Sequence, residues 1–240
     1  MSAETSPTRV WAVVPAAGSG SRMAAAQPKQ YLPLAGKPML WHTLHALAAT
    51  PGLAGMVVVT APEDRRWRRC LPARVDVHNA PGGEQRMHSV LNGLRVLGGL
   101  AGPEDWVMVH DAARPCVPRA DLALLVDAVA GHACGGLLAR PVADTLKRQG
   151  TDRPAAVDST VSRAGLWQAL TPQIFRLGLL TDALERADAQ GALVTDESQA
   201  IERLGHHPLL VEGSAMNLKV TLPGDLALAE RLLAHGAALP

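Results

Sequence analysis

The chain is poor in aromatic residues, with one Tyr, one Phe and five Trp in 240 positions. Proteins that stack single-stranded bases need several such rings. A net charge of +1 leaves no electrostatic footprint for a nucleic-acid backbone. Together these exclude a general nucleic-acid binder. The three cysteines, Cys70, Cys116 and Cys134, are scattered and contain no C-x-x-C pair. A disulfide framework or a zinc site is not expected, and a reducing, cytoplasmic setting fits. The histidines show no H-E-x-x-H spacing. No apolar run approaches the roughly 18 residues that span a bilayer. Residues 1–9 are polar and lack the apolar stretch of a secretory signal, so they read as a flexible tail.

What is present suits one compact α/β domain over residues 10–240. Hydrophobic residues make up 48% of the chain, enough for a substantial core. Apolar β-rich runs alternate with helical patterns, which implies a mostly parallel sheet with helices on both faces. Strands are expected at Val10–Val14, Met56–Thr60, Val75–His78, Trp106–His110, Leu166–Leu170, Pro208–Glu212 and Leu218–Val220. Helices are expected at Pro38–Ala49, Pro62–Leu71, Gln85–Leu97, Arg119–Ala130, Phe175–Ala189, Asp196–Leu204 and Pro223–Ala234. The βαβ rhythm breaks between these sets. Gly136–Lys147 and Ala155–Arg163 read as extended segments around the turn chemistry of Gln149–Pro154, so a projecting β-arm is expected at about residues 141–163. Arg65–Arg69 is the one basic cluster and reads as a solvated helix face.

The densest signal follows the first strand: Pro15-Ala16-Ala17-Gly18-Ser19-Gly20-Ser21-Arg22-Met23. Glycines there let a backbone approach an anion and aim N–H groups at it. A dinucleotide fingerprint would require glycine where Met23 stands, and a Walker loop would require a closing G-K-[ST]. Neither is satisfied. The loop ends instead in Arg22, and Lys29 follows in Pro28-Lys29-Gln30-Tyr31-Leu32. Two cations beside a glycine cradle suit a triphosphate whose α-phosphorus takes on negative charge during attack. The chain has only four lysines, Lys29, Lys37, Lys147 and Lys219, among many arginines, which fits a need for a compact point charge at Lys29.

Three further segments carry polar chemistry. Gly82–Ser89 follows a strand and opens a helix, where its glycines permit close approach of a base and Arg86 and Ser89 offer donors. His110–Pro115 lies at the carboxyl end of a strand, where open α/β sheets bind ligands. Asp111 there suits a ribose hydroxyl or Mg²⁺, and Arg114 a substrate contact; an Asp–Arg pair bracing the loop is the alternative. Arg163 and Lys219, far apart in sequence, complete the set of basic candidates.

The stretch V-P-A-A-G-x-G-x-R-M followed by P-K-Q-Y-L resembles the 2-C-methyl-D-erythritol 4-phosphate cytidylyltransferases. Further blocks occur in that family's order: Gly82–Val90, His110–Pro115, Ala169–Gln173, Thr195–Ser198 and Asn217–Thr221. The resemblance runs from Val10 to Leu233. It implies a Rossmann-like nucleotidyltransferase fold with a mixed, mostly parallel sheet and a dimerisation β-arm. It implies transfer of CMP from CTP to 2-C-methyl-D-erythritol 4-phosphate, with Mg²⁺ held mainly through the CTP phosphates and no metal site of the protein's own. Arg22, Lys29, Arg163 and Lys219 would be the catalytic residues. Pro15, Ala16, Ala17, Gly18, Gly20, Gly82, Arg86, Ser89, Asp111 and Ala112 would bind CTP. Arg114, Thr145, Arg163, Thr195 and Lys219 would meet the acceptor, with Thr145 and Arg163 delivered by the partner's arm in a homodimer. Ribitol 5-phosphate cytidylyltransferases share much of this pattern, and a non-catalytic nucleotide-binding module would keep the glycines. The family also occurs fused to a cyclodiphosphate synthase domain; with the chain ending at Pro240, only the cytidylyl-transfer activity is expected.

Overall fold

A computed structural model of the chain describes residues 9–18, 27–151 and 155–236. The chain runs through β1 (Val10–Pro15), β2 (Pro33–Leu34), β3 (Lys37–Pro38), α1 (Met39–Leu47), β4 (Leu53–Thr60), β5 (Val77–Pro81), α2 (Arg86–Leu97), β6 (Trp106–Val109) and α3 (Arg119–Val129). It continues through β7 (Gly135–Pro141), β8 (Leu146–Gln149), β9 (Val157–Val161), β10 (Trp167–Arg176), α4 (Leu177–Ala189), α5 (Glu197–Glu202), β11 (Leu209–Glu212) and α6 (Pro223–Gly236). Seven strands form one sheet in the order β11-β7-β10-β6-β1-β4-β5. β10 runs antiparallel to both its neighbours, and the other pairings are parallel. β2 and β3 make a small ribbon, and β8 and β9 make a separate antiparallel pair.

The period-two alternation of a buried strand sorts β1 between two cores. Val10, Ala12 and Val14 face a cluster with Leu40 and Leu44 of α1 and Leu122 and Leu125 of α3. Trp11 and Val13 face the other, with Leu91 and Leu94 of α2 and Leu180 and Leu184 of α4. These side chains are almost wholly buried, and each removed from water contributes roughly 2 kcal/mol before the entropy of ordering it. α2 lies especially close to the sheet: a Cβ on Gly93 would stand 2.7 Å from Val13 Cγ1. A third cluster, Leu34, Met39, Ala113, Cys116, Val220 and Ala229, seats α6 against the β2–β3 ribbon. The three cysteines are unpaired and buried. Among the described residues, no helix is long and apolar enough to cross a membrane.

Several sequence expectations shift. The helix expected at Pro62–Leu71 is one 3₁₀ turn, Arg66–Cys70. Asp64 Oδ1 accepts the Arg66 N–H at 2.9 Å, a local side-chain bond that competes with helical pairing. Arg65, Arg66, Arg68 and Arg69 are exposed there, while Trp67 and Cys70 point inward. The third strand sits later than expected, because its register on β4 pairs Met56 with Val77 and Thr60 with Pro81. Leu166–Leu170 is only the beginning of the ten-residue β10. Leu218–Val220 forms no strand; the Val220 N–H instead makes a single bond to the Ala113 carbonyl at 2.8 Å. Of the residues expected in the tail, 1–8 lie outside the described residues, and the Arg9 carbonyl accepts from the Trp106 N–H at 3.0 Å, so Arg9 belongs to the fold.

The arm leaves the sheet after Pro141 and returns at Trp167, where the Val142 N–H still reaches the Leu166 carbonyl at 3.0 Å. Its ladder pairs Leu146 with Val161 and Arg148 with Ser159. No described residue from Pro141 to Ala169 is buried.

Candidate active site

β1 lies between β6 and β4. Chain connections leave it in both directions, so the carboxyl ends of β1 and β6 open a crevice of the kind that holds ligands in α/β sheets. The crevice is a cavity of about 460 Å³. Its walls include Pro15, Ala16, Ala17 and Gly18 after β1, Gly83–Arg86 and Ser89 around the start of α2, and Asp111, Ala112 and Ala113 after β6. Lys29, Gln30 and Lys219 complete it.

The floor is two turns pressed together. A Cβ on Gly82 would overlap the Ala17 Cβ, so any larger residue at position 82 would force them apart. The Gly82 N–H is held by the Thr60 carbonyl at 2.7 Å. The Gly83 N–H donates to Ser89 Oγ at 3.0 Å, and that hydroxyl in turn donates to the Gln85 carbonyl at 3.2 Å. Ser89 therefore fixes the turn as well as lining the cavity.

One wall is a row of alternating charge. Glu197, only 1% exposed, accepts from Arg86 through both oxygens, at 2.6 and 3.2 Å. The other edge of the Arg86 guanidinium meets Asp111 Oδ1 at 3.0 to 3.1 Å. Asp111 Oδ2 meets Lys219 Nζ at 2.7 Å. Burial disfavours the charge on Asp111, but Arg86 first and Lys219 next overcome it and hold the carboxyl well below the usual range. Burial likewise opposes the charge on Arg86, and Glu197 and Asp111 outweigh it and raise its pKa. Asp111 and Arg86 therefore stay ionised at neutral pH.

A second network sets the backbone of the loop after β6. His110 is fully buried, and burial pushes its pKa down to about 4, against the opposing pull of its bond to Arg114. The neutral ring must donate from Nε2, since its partner at 3.0 Å is the Arg114 carbonyl. Nδ1 then accepts from the Thr171 hydroxyl at 3.1 Å, and the same oxygen accepts the Asp111 N–H at 3.1 Å. Asn217 Nδ2 donates to the Thr171 carbonyl at 2.8 Å. Bonds at Asn217 and Val220 thus pin the backbone on both sides of Lys219.

The sequence candidates divide accordingly. Pro15, Ala16, Ala17, Gly18, Lys29, Arg86, Ser89, Asp111, Ala112 and Lys219 converge on the cavity, and Gly82 braces it from behind. Gly20 and Arg22 lie outside the described residues. Arg114, expected to meet the acceptor or to pair with Asp111, is buried and donates to the Asn217 carbonyl at 2.8 Å, while the Asp111 oxygens are held by Arg86 and Lys219. Thr195 is exposed, and its N–H and hydroxyl are both taken by Gln199 Oε1 at 2.7 and 3.2 Å. Thr145 and Arg163 are exposed on the arm and do not line this chain's cavity. Glu197 and Gln30 are the residues that sequence reasoning passed over. Glu197 carried a signal: it stands three and four positions before Ala200 and Ile201, on the buried face of α5. Gln173 holds that helix start, accepting the Ser198 N–H at 2.7 Å and donating to Asp196 at 3.0 Å.

Among the described residues, no group of three His, Cys, Asp or Glu side chains stands ready to hold a metal. Two carboxylates, Glu84 and Asp111, line the cavity. The cavity can therefore accept an anion through Lys29 and Lys219, with room against the stacked turns for a flat group.

Known proteins share this arrangement of fold and sequence. The profile of the IspD family, 2-C-methyl-D-erythritol 4-phosphate cytidylyltransferase, matches residues 10–235. A protein of that name from Chromobacterium violaceum is 52% identical over 228 residues, covering 93% of this chain and 97% of its own. Its namesake from Dechloromonas aromatica is 51% identical, covering 94% and 97%. A crystal structure of a 4-diphosphocytidyl-2C-methyl-D-erythritol synthase superposes with a TM-score of 0.81 at 40% identity, covering 94% of this chain and 98% of that one. The Thermus thermophilus cytidylyltransferase superposes at 0.78 with 31% identity, covering 94% and 99%. The fold, the order of the motifs and matches along nearly the whole length agree, and the chain belongs to the 2-C-methyl-D-erythritol 4-phosphate cytidylyltransferase family.

Proposed function

We propose that this chain transfers CMP from CTP to 2-C-methyl-D-erythritol 4-phosphate. An oxygen of the acceptor phosphate forms a bond to the α-phosphorus of CTP. The bond from that phosphorus to the bridging oxygen breaks, and pyrophosphate leaves with the electron pair. The product is 4-diphosphocytidyl-2-C-methyl-D-erythritol. The observation that carries this reading is the meeting of Lys29 and Lys219 in one cavity above the Ala17–Gly82 floor.

The attacking phosphate is already anionic, so the reaction needs no strong base. The obstacle is bringing two polyanions together: two unit charges at 4 Å repel by about 4 kcal/mol at an effective dielectric of 20. Lys29, with Arg22 from the same loop, offsets that repulsion on the triphosphate and stabilises charge developing at the α-phosphoryl group. Lys219 is shared with Asp111, and the acceptor phosphate competes with that carboxylate for its ammonium. The carboxylates at the cavity, Asp111 and Glu84, are of the type that a Mg²⁺ keeping phosphate and water as its other ligands accepts. Asp111 would hold it, and the ion, when bound, supplies charge neutralisation on the phosphates. Donors and acceptors fixed on the two turns suit a cytosine edge, because swapping its exocyclic amine for a carbonyl would leave buried groups unpaired.

The reading assigns Thr145 and Arg163 to the acceptor site of a second copy. What supports it is their exposed position on an arm that stands clear of its own cavity. A homodimer joined through the arms would complete each site in trans.

The direct test is pyrophosphate release by the purified protein with CTP, Mg²⁺ and 2-C-methyl-D-erythritol 4-phosphate, with ribitol 5-phosphate as control acceptor. Release that depends on the methylerythritol substrate is expected. Background rates with it, or equal rates with ribitol 5-phosphate, would overturn the assignment.

A further inference from the structure

Gln30 is 4% exposed, and its Nε2 donates to the Ala16 carbonyl at 2.6 Å. A buried amide spent on a backbone carbonyl usually fixes a turn. Here it also fixes a direction. The Ala16 carbonyl and the Ala17 N–H belong to one peptide plane, and in a trans peptide they point opposite ways. With the carbonyl turned to Gln30, the Ala17 N–H faces away from it. The preceding peptide is fixed too, since the Ala16 N–H donates to the Val59 carbonyl at 2.7 Å. Ala17 lines the cavity and presses on Gly82.

We propose that Gln30 is a positioning residue for nucleobase recognition: it clasps the Ala16 carbonyl and thereby presents the Ala17 N–H to the base. The inference rests on the cytidylyl-transfer reading and deepens it. The clasp joins the two ends of the loop, because Gln30 follows Lys29 while Ala16 opens the glycine turn. Base reading and phosphate binding are thus tied by one hydrogen bond. Without the donor, the Ala16 carbonyl is buried with no partner, a state that costs free energy. Rotation of the 16–17 peptide relieves it by turning that carbonyl toward the cavity, where it replaces an N–H. Opposite the base N3, which accepts in cytosine and carries a proton in uracil, a donor becomes an acceptor, and selectivity between the two falls.

The test uses Gln30→Met, which keeps length and removes the donor. The Kd values for CTP and UTP are measured by calorimetry, and kcat/KM for both by pyrophosphate release. The ratio of CTP to UTP is expected to fall about tenfold, the worth of one lost hydrogen bond, while Lys29→Ala weakens both nucleotides alike and leaves the ratio in place. Merely structural damage would lower both nucleotides together. A ratio within twofold of wild type in a folded Gln30→Met protein overturns the proposal. Should that variant fail to fold, Gln30→Asn, whose amide stops one methylene short of the Ala16 carbonyl, is judged by the same ratio. Wild-type protein that does not prefer CTP overturns the cytidylyl reading and this proposal with it; wild-type preference that survives in Gln30→Met overturns this proposal alone.

Discussion

Asp111 and Arg163 are both charged, and both are candidate site residues, yet the molecule treats them oppositely. Asp111 is 8% exposed at the end of a central strand, with Arg86 and Lys219 on its two oxygens. Arg163 is exposed on an arm with no buried residue among those described. The sheet fixes Asp111 by contacts within one chain. The arm fixes only its own ladder, including Lys147 Nζ to Thr160 Oγ1 at 2.7 Å, and leaves Val157 63% exposed. Such an element gains its role from what it docks against.

The largest effect that would sharpen this contrast is loss of Lys29. Lys29→Ala should lower turnover by roughly 10²–10³ with an unchanged melting temperature, because one preorganised cation at the reacting phosphate is removed. Turnover within a few-fold of wild type would break the assignment.

Complementation comes next and addresses the arm directly. Arg163→Ala and Lys219→Ala homodimers should each be nearly inactive. After random subunit exchange, half of the dimers are mixed, and each mixed dimer holds one intact site if the arm acts in trans. Activity should return to roughly a quarter of wild type. No recovery in a verified mixed dimer would place Arg163 outside the partner's site.

Stability should separate the regions as well. Glu197→Gln leaves the Arg86 charge with Asp111 alone and should cost about 3 kcal/mol in urea unfolding, the scale of a broken buried pair. Lys147→Ala on the arm should cost no more than about 0.5 kcal/mol. Equal costs would mean the arm is held as firmly as the sheet.

The smallest expected effect is one of pH. His110 has a folded pKa near 4, below its value of 6.5 in the unfolded chain, with burial the main cause. Between those values only the unfolded chain binds the proton. The stability from neutral His110 is therefore present above pH 6.5 and is lost as pH falls toward 4, to the order of 3 kcal/mol at the limit but about 1 kcal/mol by pH 5.8. NMR titration of the ring should show it neutral at pH 5.5 in the folded protein. A protonated ring there would contradict the tautomer that orients Thr171 and Asp111.

The parts of this molecule that were legible in the sequence are those with local causes. The apolar run Val10–Val14 and the helix expected over Gln85–Leu97 each follow from neighbours in the chain. Leu218–Val220 misled because an apolar run does not reveal that its N–H groups bond singly to loops rather than to a strand. Arg114 misled because a cation beside an aspartate can face a ligand or a carbonyl, and only the position of Asn217 decides it. Glu197 was hidden because its partner Arg86 lies far away in sequence, although its place on the buried face of α5 offered a clue. Gln30 was overshadowed by Lys29 beside it.

The charge row from Glu197 to Lys219 also bears on how the protein is built. Its members come from the start of α5, the start of α2, the loop after β6 and the segment before α6, and no two are sequence neighbours. The row exists only when all four segments have docked. Local opening of the segment before α6 alone would take Lys219 from the row while the pairing of the sheet stays intact.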